Sequence, residues 1–136
     1  GLSAKAPVEI FRPEQVTSGQ LPSWDLLVVG SPTRGFRPTE AMAALLNPIP
    51  PKALTDTTVA AFDTRLTADE LDSAGARFIV KTGGYAAKRI ADRLKKAGAN
   101  LVAAPEGFYV QDTEGPLKSG ELERAAAWAV QIFESV

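Results

Sequence analysis

The sequence has 136 residues, of which 45% are hydrophobic and 23% charged, a balance typical of one globular domain. It contains no cysteine and no histidine, which argues against disulfides, thiol chemistry, zinc enzymes and histidine-based hydrolase triads. The formal net charge of −1 argues against a nucleic-acid or anionic-membrane surface, and no apolar run reaches the roughly 18 residues of a membrane span. We therefore expect a cytoplasmic protein with a single domain over residues 1–136.

The first half of the chain predicts two strands and one helix. Residues 8–12 form a short strand candidate that ends at Pro13. Residues 26–29 are apolar on both faces, which is typical of a strand in the middle of a parallel sheet covered by helices. Residues 39–46 predict a helix with Thr39 as its N-cap, and the proline-rich segment 47–51 ends it.

A second buried strand is predicted over residues 57–62, followed by the turn Asp63-Thr64-Arg65. Residues 77–81 are compatible with a short strand, a helical turn or an ordered loop, because periodicity does not discriminate among them in so short a run. Residues 85–98 predict a helix with one apolar face, basic residues in its last turn and Gly98 as its C-terminal stop.

The last third predicts one interrupted strand and one helix. Residues 100–104 form a third strand, which residues 108–110 extend after the break at Pro105, and residues 120–133 form the final helix. Strands that alternate with helices at this spacing indicate an α/β fold with a parallel sheet. Ligands of such sheets bind beyond the carboxyl ends of the strands, which directs attention to residues 31–37 and 63–66.

These segments resemble a known family. The pattern DLLVVGSPTRG, then a helix, TVAAFDTR and EGPLKSGELERA resembles the flavodoxin-like domains, most closely the short bacterial flavodoxin family proteins. The resemblance runs from about Leu2 to the end of the chain, and GSPT is its most specific part. It implies a three-layer α/β sandwich with a five-stranded parallel sheet in the order 2-1-3-4-5, which holds FMN without a covalent bond.

The resemblance also implies an incomplete N-terminus. The family's first strand and its phosphate-binding loop would precede Gly1, so we expect strand 1 to be missing from this chain. Strands 8–12 and 26–29 would then flank a gap about 10 Å wide. Three arrangements would close this gap. A second copy of the chain would donate a strand, residues 77–81 would form a strand there, or residues 8–12 would shift to pair with the next strand.

By resemblance, two loops would hold the flavin ring. Thr33 would contact the ribityl chain or the ring edge, a peptide beside Gly35 would reorient toward the flavin N5, and Arg34 would stack by its guanidinium plane. The backbone amides of residues 63–65 would bind the pyrimidine oxygens. The cofactor-binding residues implied in this way are Ser31, Pro32, Thr33, Arg34, Gly35, Phe36, Asp63, Thr64, Arg65 and Tyr85.

Each of these interpretations has a structural alternative. Residues 31–37 would otherwise be a turn with Phe36 in the core, Asp63 and Arg65 a surface ion pair, and Tyr85 a core residue. Residues 81–84 offer backbone amides to an anion before a helix, although Gly-Gly there is more often a turn. The carboxylates at 106 and 112–114 suggest acid–base chemistry only if they share a cleft, and a solvated turn is the simpler interpretation.

The basic face of the 85–98 helix is either solvated or a docking patch for an acidic redox partner. Its members are Lys88, Arg89, Arg93, Lys95 and Lys96. The favoured function is that of an FMN-binding electron-transfer protein. Its expected partner is a redox protein or a reductase, and neither a nucleic acid nor a membrane is expected. A homo-oligomer is possible. An electron carrier is favoured over an enzyme, and an enzyme would be an FMN-dependent oxidoreductase. The alternative is a cofactor-free binding or scaffold module, or a fragment that does not hold FMN alone.

Overall fold

A computed structural model of the chain describes residues 6–33, 37–66, 85–112 and 115–136. Two 3-10 helices, Pro13–Gln15 and Ser18–Ser23, precede the sheet. The strands of the described residues are β1 (Leu26–Pro32), β2 (Thr58–Arg65), β3 (Asn100–Leu101) and β4 (Glu106–Tyr109). The α-helices of the same residues are α1 (Glu40–Leu46), α2 (Ala86–Lys96) and α3 (Glu121–Glu134).

All four strands are parallel, and β2 lies at the centre of the described sheet. It pairs with β1 along one edge and with β3 and then β4 along the other. Because Thr58 pairs with Asn100 and Phe62 with Glu106, β3 and β4 are the two halves of one interrupted strand. The predicted continuation of the third strand beyond Pro105 is confirmed.

Helices cover both faces of this sheet. Val59 and Ala61 of β2 pack with Ile90 and Leu94 of α2 in the main hydrophobic core. Phe62, the next residue along β2, points to the opposite face and packs on Trp128 of α3 at 5.9 Å between ring centroids. The predicted α/β layering, with a parallel sheet between helices, is confirmed.

The helix ends follow from specific contacts. Thr39 caps α1 as predicted, because its hydroxyl oxygen accepts a hydrogen bond from the Met42 N–H at 3.3 Å. At the other end of α1, the Arg93 guanidinium donates to the carbonyl oxygens of Asn47 and Ile49, both at 2.7 Å. Within the described ranges, none of the helices combines the length and the apolar character that crossing a membrane requires.

The strand predicted over residues 8–12 is wrong. These residues form no strand and lie at the surface, where the Ile10 side chain is 90% exposed and Phe11 packs only partly, against Trp24 at 5.6 Å. A strand needs a neighbour for its backbone hydrogen bonds, and among the described strands β1 pairs with β2 alone. The apolar composition of residues 8–12 therefore does not produce a strand here. The 77–81 segment lies outside the described residues.

Candidate functional site

The carboxyl ends of β1 and β2 lie side by side. Ser31 pairs with Asp63 and Pro32 with Thr64, and the Thr33 N–H donates to the Thr64 carbonyl at 3.0 Å. The predicted proximity of the two polar segments is therefore confirmed. They are, however, the last residues of strands rather than free loops, because β1 continues to Pro32 and β2 to Arg65. The sequence predicted turns here because the side chains are polar. In the structure, hydrogen bonds between β1 and β2 keep the backbone of these residues extended.

Asp63 is the centre of this region. Its side chain is 0% exposed, and its two carboxylate oxygens accept hydrogen bonds from the Arg65 guanidinium at 2.6 and 2.8 Å. The same carboxylate accepts a hydrogen bond from the Ala87 N–H at 2.8 Å, in the first turn of α2. A carboxylate is stabilised at a helix N-terminus because the N–H groups there carry partial positive charge. The Asp63–Arg65 pair of the structural alternative is therefore present, but it is buried rather than at the surface.

Thr33 and Ser31 brace the neighbouring backbone. The Thr33 hydroxyl oxygen accepts a hydrogen bond from the Ala86 N–H at 3.4 Å, which ties the end of β1 to the start of α2. Ser31 is buried, accepts a hydrogen bond from the Thr39 N–H at 3.0 Å, and donates to the Pro32 carbonyl at 2.9 Å. The two hydroxyls thereby tie the end of β1 to the starts of both α1 and α2.

Arg65 and Tyr85 form a stacked pair beside Asp63. The guanidinium carbon of Arg65 lies 4.0 Å from the centroid of the Tyr85 ring, a cation–π geometry. The Tyr85 hydroxyl donates to the Leu66 carbonyl at 2.8 Å, and the ring is nearly buried. A Cβ on Gly107 would overlap the Arg65 guanidinium, so glycine at this position of β4 leaves room for Arg65 to stay where it is. The low exposure of Tyr85 agrees with the structural alternative, in which it is a core residue. The role of Tyr85 in stacking on a flavin stays a prediction.

Of the predicted site residues, the structure brings together Ser31, Pro32, Thr33, Asp63, Thr64, Arg65 and Tyr85. Arg34, Gly35 and Phe36 lie outside the described residues, as does the candidate anion loop at residues 81–84. The backbone amides of Ala86 and Ala87 and the close approach at Gly107 were not predicted. Alanine has no polar side chain to reveal such a role, and the Gly107 contact requires knowledge of the β2–β4 register.

An open groove of about 380 Å³ lies elsewhere, between the 3-10 segments and α1. Its walls are residues 13–14 and 16–18 on one side and Ala41, Ala44 and Leu45 on the other. No predicted site residue contributes to it. We place the candidate site at the strand ends because the polar groups converge there.

A second polar cluster links α3 to β4. The Arg124 guanidinium lies 2.7 Å from a Glu121 carboxylate oxygen and 3.1 Å from Glu106, and it also donates to the Gly107 carbonyl. Hydrogen bonding to Arg124, followed by that from the Tyr109 N–H, lowers the pKa of Glu121 from its ordinary 4.5 to about 2. The Glu106 and Glu121 carboxylates are thus both paired with Arg124 and hold α3 on the sheet.

FMN, the cofactor that the resemblance implies, needs hydrogen-bond donors for its phosphate and for its ring. In the described residues, every buried side-chain nitrogen or oxygen has a hydrogen-bond partner, and the Ala86 and Ala87 amides are engaged by Thr33 and Asp63. These residues therefore do not fit the FMN phosphate. Thr33, Thr64 and Arg65 are the partly exposed polar residues at these strand ends. No group of three or more acidic residues in the described ranges is placed to hold a metal ion.

The architecture defines a flavodoxin-like fold. The chain is similar to the oxidised crystal structure of flavodoxin 1 from Bacillus cereus, with a TM-score of 0.66 and 13% sequence identity. The match covers 90% of this chain and 74% of that flavodoxin. No protein-family model and no curated protein sequence matches the chain. At this identity the similarity establishes the fold alone.

Proposed function

We propose that this chain binds FMN and acts as an electron-transfer protein. The observation that supports the proposal most is the adjacency of the carboxyl ends of β1 and β2, with Thr33 and Arg65 at the same edge of a flavodoxin-like sheet. Bound FMN would supply the redox chemistry, moving one or two electrons at a time. The lack of histidine and cysteine is consistent with this, because the protein then needs no acid, base or nucleophile of its own.

The described residues divide into two roles in this proposal. Thr33, Thr64 and Arg65 are partly exposed and would contact the ring or its ribityl chain, together with residues 34–36. Ser31 and Asp63 are buried and fully engaged, so they would position the neighbouring backbone without touching the cofactor. The phosphate would be held by groups other than the described α2 terminus, where the Asp63 carboxylate already accepts an N–H.

A titration of the purified protein with FMN tests the proposal. Quenching of FMN fluorescence should saturate with a Kd of about 1 μM or tighter. Thr33→Val, which keeps the side-chain shape but removes the hydroxyl, should weaken FMN binding by about 5-fold, the value of one ordinary hydrogen bond. Thr55→Val is the matched control, because Thr55 lies before β2 at the opposite edge of the sheet, and it should bind FMN as the wild type does.

The alternative is a flavodoxin-like binding module without a cofactor. It is favoured by one observation, the filled N-terminus of α2, where the Asp63 carboxylate, paired with Arg65, takes the place that a bound anion would occupy. The same titration separates the two functions. A purified protein that leaves FMN fluorescence unchanged at all concentrations tested would refute FMN binding and support the module.

A further inference from the structure

The helix α3 carries an apolar stripe that the sheet does not cover. Its sheet-facing residues include Trp128, which packs on Phe62, and the buried Ile132. A second apolar stripe runs along one side of α3, about a quarter-turn around the helix axis from Ile132. The members of this stripe, which we call the apolar flank, are Leu122, Ala126, Ala129 and Phe133. The first two of these residues are exposed and the other two are half-buried, so α3 keeps more apolar surface than its contact with the sheet uses.

The opposite side of α3 is polar and lies over the β4 edge of the sheet. Its members are Glu123, Arg124, Gln131 and Glu134. The Arg124 guanidinium lies 4.6 Å from the centroid of the Phe108 ring in β4. Because β4 and β1 lie on opposite sides of β2, the apolar flank faces the β1 side of the sheet.

The sheet surface beside the apolar flank is apolar as well. Val28 pairs with Ala60, two residues before Phe62, so Val28 and Leu26 point to the α3 face of the sheet. Both residues are only partly buried, and among the described helices α3 alone packs on this face. A second helix packed beside the apolar flank would therefore also lie over this part of β1. An apolar surface of this kind, wider than single scattered residues, is typical of an interaction site.

The apolar flank is complementary to itself. It has large side chains at its two ends and alanines in the middle. If two copies of α3 pack antiparallel about a two-fold axis, Leu122 lies against the partner's Phe133 and Ala126 against the partner's Ala129, and symmetry repeats both contacts. The alanines then allow a close approach of the two helices, while the large side chains fill the ends of the seam.

The charges of the molecule also favour a second copy as the occupant. The apolar flank contains no charged residue, so antiparallel pairing places no like charges in the seam. The chain has a net charge of −1, so two copies repel each other only weakly. A helix of 14 residues is about 21 Å long and offers on the order of 300 Å² per copy, below the roughly 800 Å² per copy of a stable complex. The pairing is therefore expected to be weak and reversible.

We propose that the apolar flank of α3 is a self-association surface, on which a second copy of this chain packs its own α3 in antiparallel orientation. This dimer goes beyond the proposed function and needs no cofactor. The FMN titration and the dimerisation test can therefore succeed or fail independently.

Sedimentation of the purified protein over a range of concentrations tests the proposal. A reversible monomer–dimer equilibrium with a Kd of about 100 μM or tighter is expected. Because the seam is uncharged, the Kd should change by less than about twofold between about 20 mM and about 500 mM salt.

Two neighbouring alanines provide a matched pair of variants. Ala126→Lys should weaken the dimer at least about 10-fold, because the two-fold axis places two lysine charges in one apolar seam. Ala127→Lys introduces the same charge at the adjacent exposed alanine, on the polar side of α3, and should change the Kd by less than about twofold. Both variants should unfold at the wild-type temperature at about 5 μM protein, because lysine is a good helix former at an exposed position.

Several results would overturn the proposal. A wild-type protein that is monomeric at about 500 μM would refute the dimer. An equal loss in both variants, or a dimer that Ala126→Lys leaves intact, would show that the apolar flank is not the interface. A dimer that dissociates at high salt would indicate a charged contact instead of this seam. A lower Tm for Ala126→Lys alone would show that Ala126 packs within one copy of the chain.

Discussion

The two faces of the central sheet are packed in different ways. On the α2 face, Val59, Ile90 and Leu94 are fully buried in an aliphatic core that also includes Met42 and Leu46 of α1. Such a core depends on shape and on the removal of apolar surface from water, and neither changes with pH.

The α3 face has fewer buried residues and more specific contacts. Phe62, Phe108 and Trp128 form a triangle of edge-to-face contacts with ring centroids 5.8–5.9 Å apart. The Glu121–Arg124 pair then joins α3 to β4. Because β2 contributes alternate residues to the two faces, one strand supports an aliphatic core on one side and an aromatic, charged contact on the other. The comparison predicts that substitutions on the two faces differ in size and in pH dependence.

The largest effect is expected on the α2 face. Leu94→Ala removes a side chain that is 0% exposed and leaves a cavity between α2 and the sheet, so it should lower the free energy of unfolding by about 2–5 kcal/mol. Leu122→Ala is the matched control, because Leu122 is 69% exposed on α3, and it should cost less than about 0.5 kcal/mol. Urea denaturation measures both. Equal losses in the two variants would contradict the packing described for α2.

A smaller effect is expected where the aromatic cluster meets the sheet. The Phe62 ring lies over Gly30 of the adjacent strand, and a Cβ at Gly30 would overlap it. Gly30→Ala should therefore displace the ring and cost about 1–3 kcal/mol. Gly19→Ala, at a position with no atom within 4 Å of the added methyl group, should be neutral or slightly stabilising. If Gly30→Ala unfolds at the same urea concentration as the wild type, the aromatic cluster tolerates rearrangement and the close approach is unimportant.

The smallest effect is expected to depend on pH. The folded-state pKa of Glu121, about 2, lies below its ordinary 4.5, so the stabilisation is complete above about pH 4.5 and is lost as pH falls toward 2. Glu121→Gln should lower the free energy of unfolding by about 1 kcal/mol near neutral pH. The difference in this free energy between the variant and the wild type should shrink at acidic pH. Glu123→Gln, exposed in the same turn, serves as the control and should show no such trend. A difference that is constant from pH 7 to pH 3 would show that Glu121 acts through packing rather than charge.

Local patterns in the sequence predicted much of the fold. The apolar runs before Gly30 and before Asp63, the cap at Thr39 and the periodicity after Tyr85 each produced the expected element. In these elements, local preference and tertiary packing favour the same conformation. The alternation of strands and helices predicted a parallel sheet covered by helices, and the family resemblance implied the same layers.

The candidate site was predicted only in part. The sequence placed Thr33 and Arg65 at neighbouring strand ends, because the carboxyl ends of parallel strands share one edge. It did not predict that Asp63 is buried against the start of α2, since the partners of this carboxylate are a side chain two residues away and an amide 24 residues away. The sequence also predicted a strand over residues 8–12, because their composition favours one. In the structure, no described strand lies beside them to accept and donate the backbone hydrogen bonds.

The sequence by itself determined which segments are apolar, where several helices and strands begin, and which chemistries lack the necessary residues. Those properties reside in the residues and their immediate neighbours, so they can be read along the chain. Only the tertiary structure decided which polar groups are buried, how far β1 and β2 extend, and which side chains meet at their ends. These outcomes depend on pairing between segments that are distant in the sequence. Residues such as those at the ends of β1 and β2 have no strong preference for a strand or a turn, and hydrogen bonds across the sheet decide between the two.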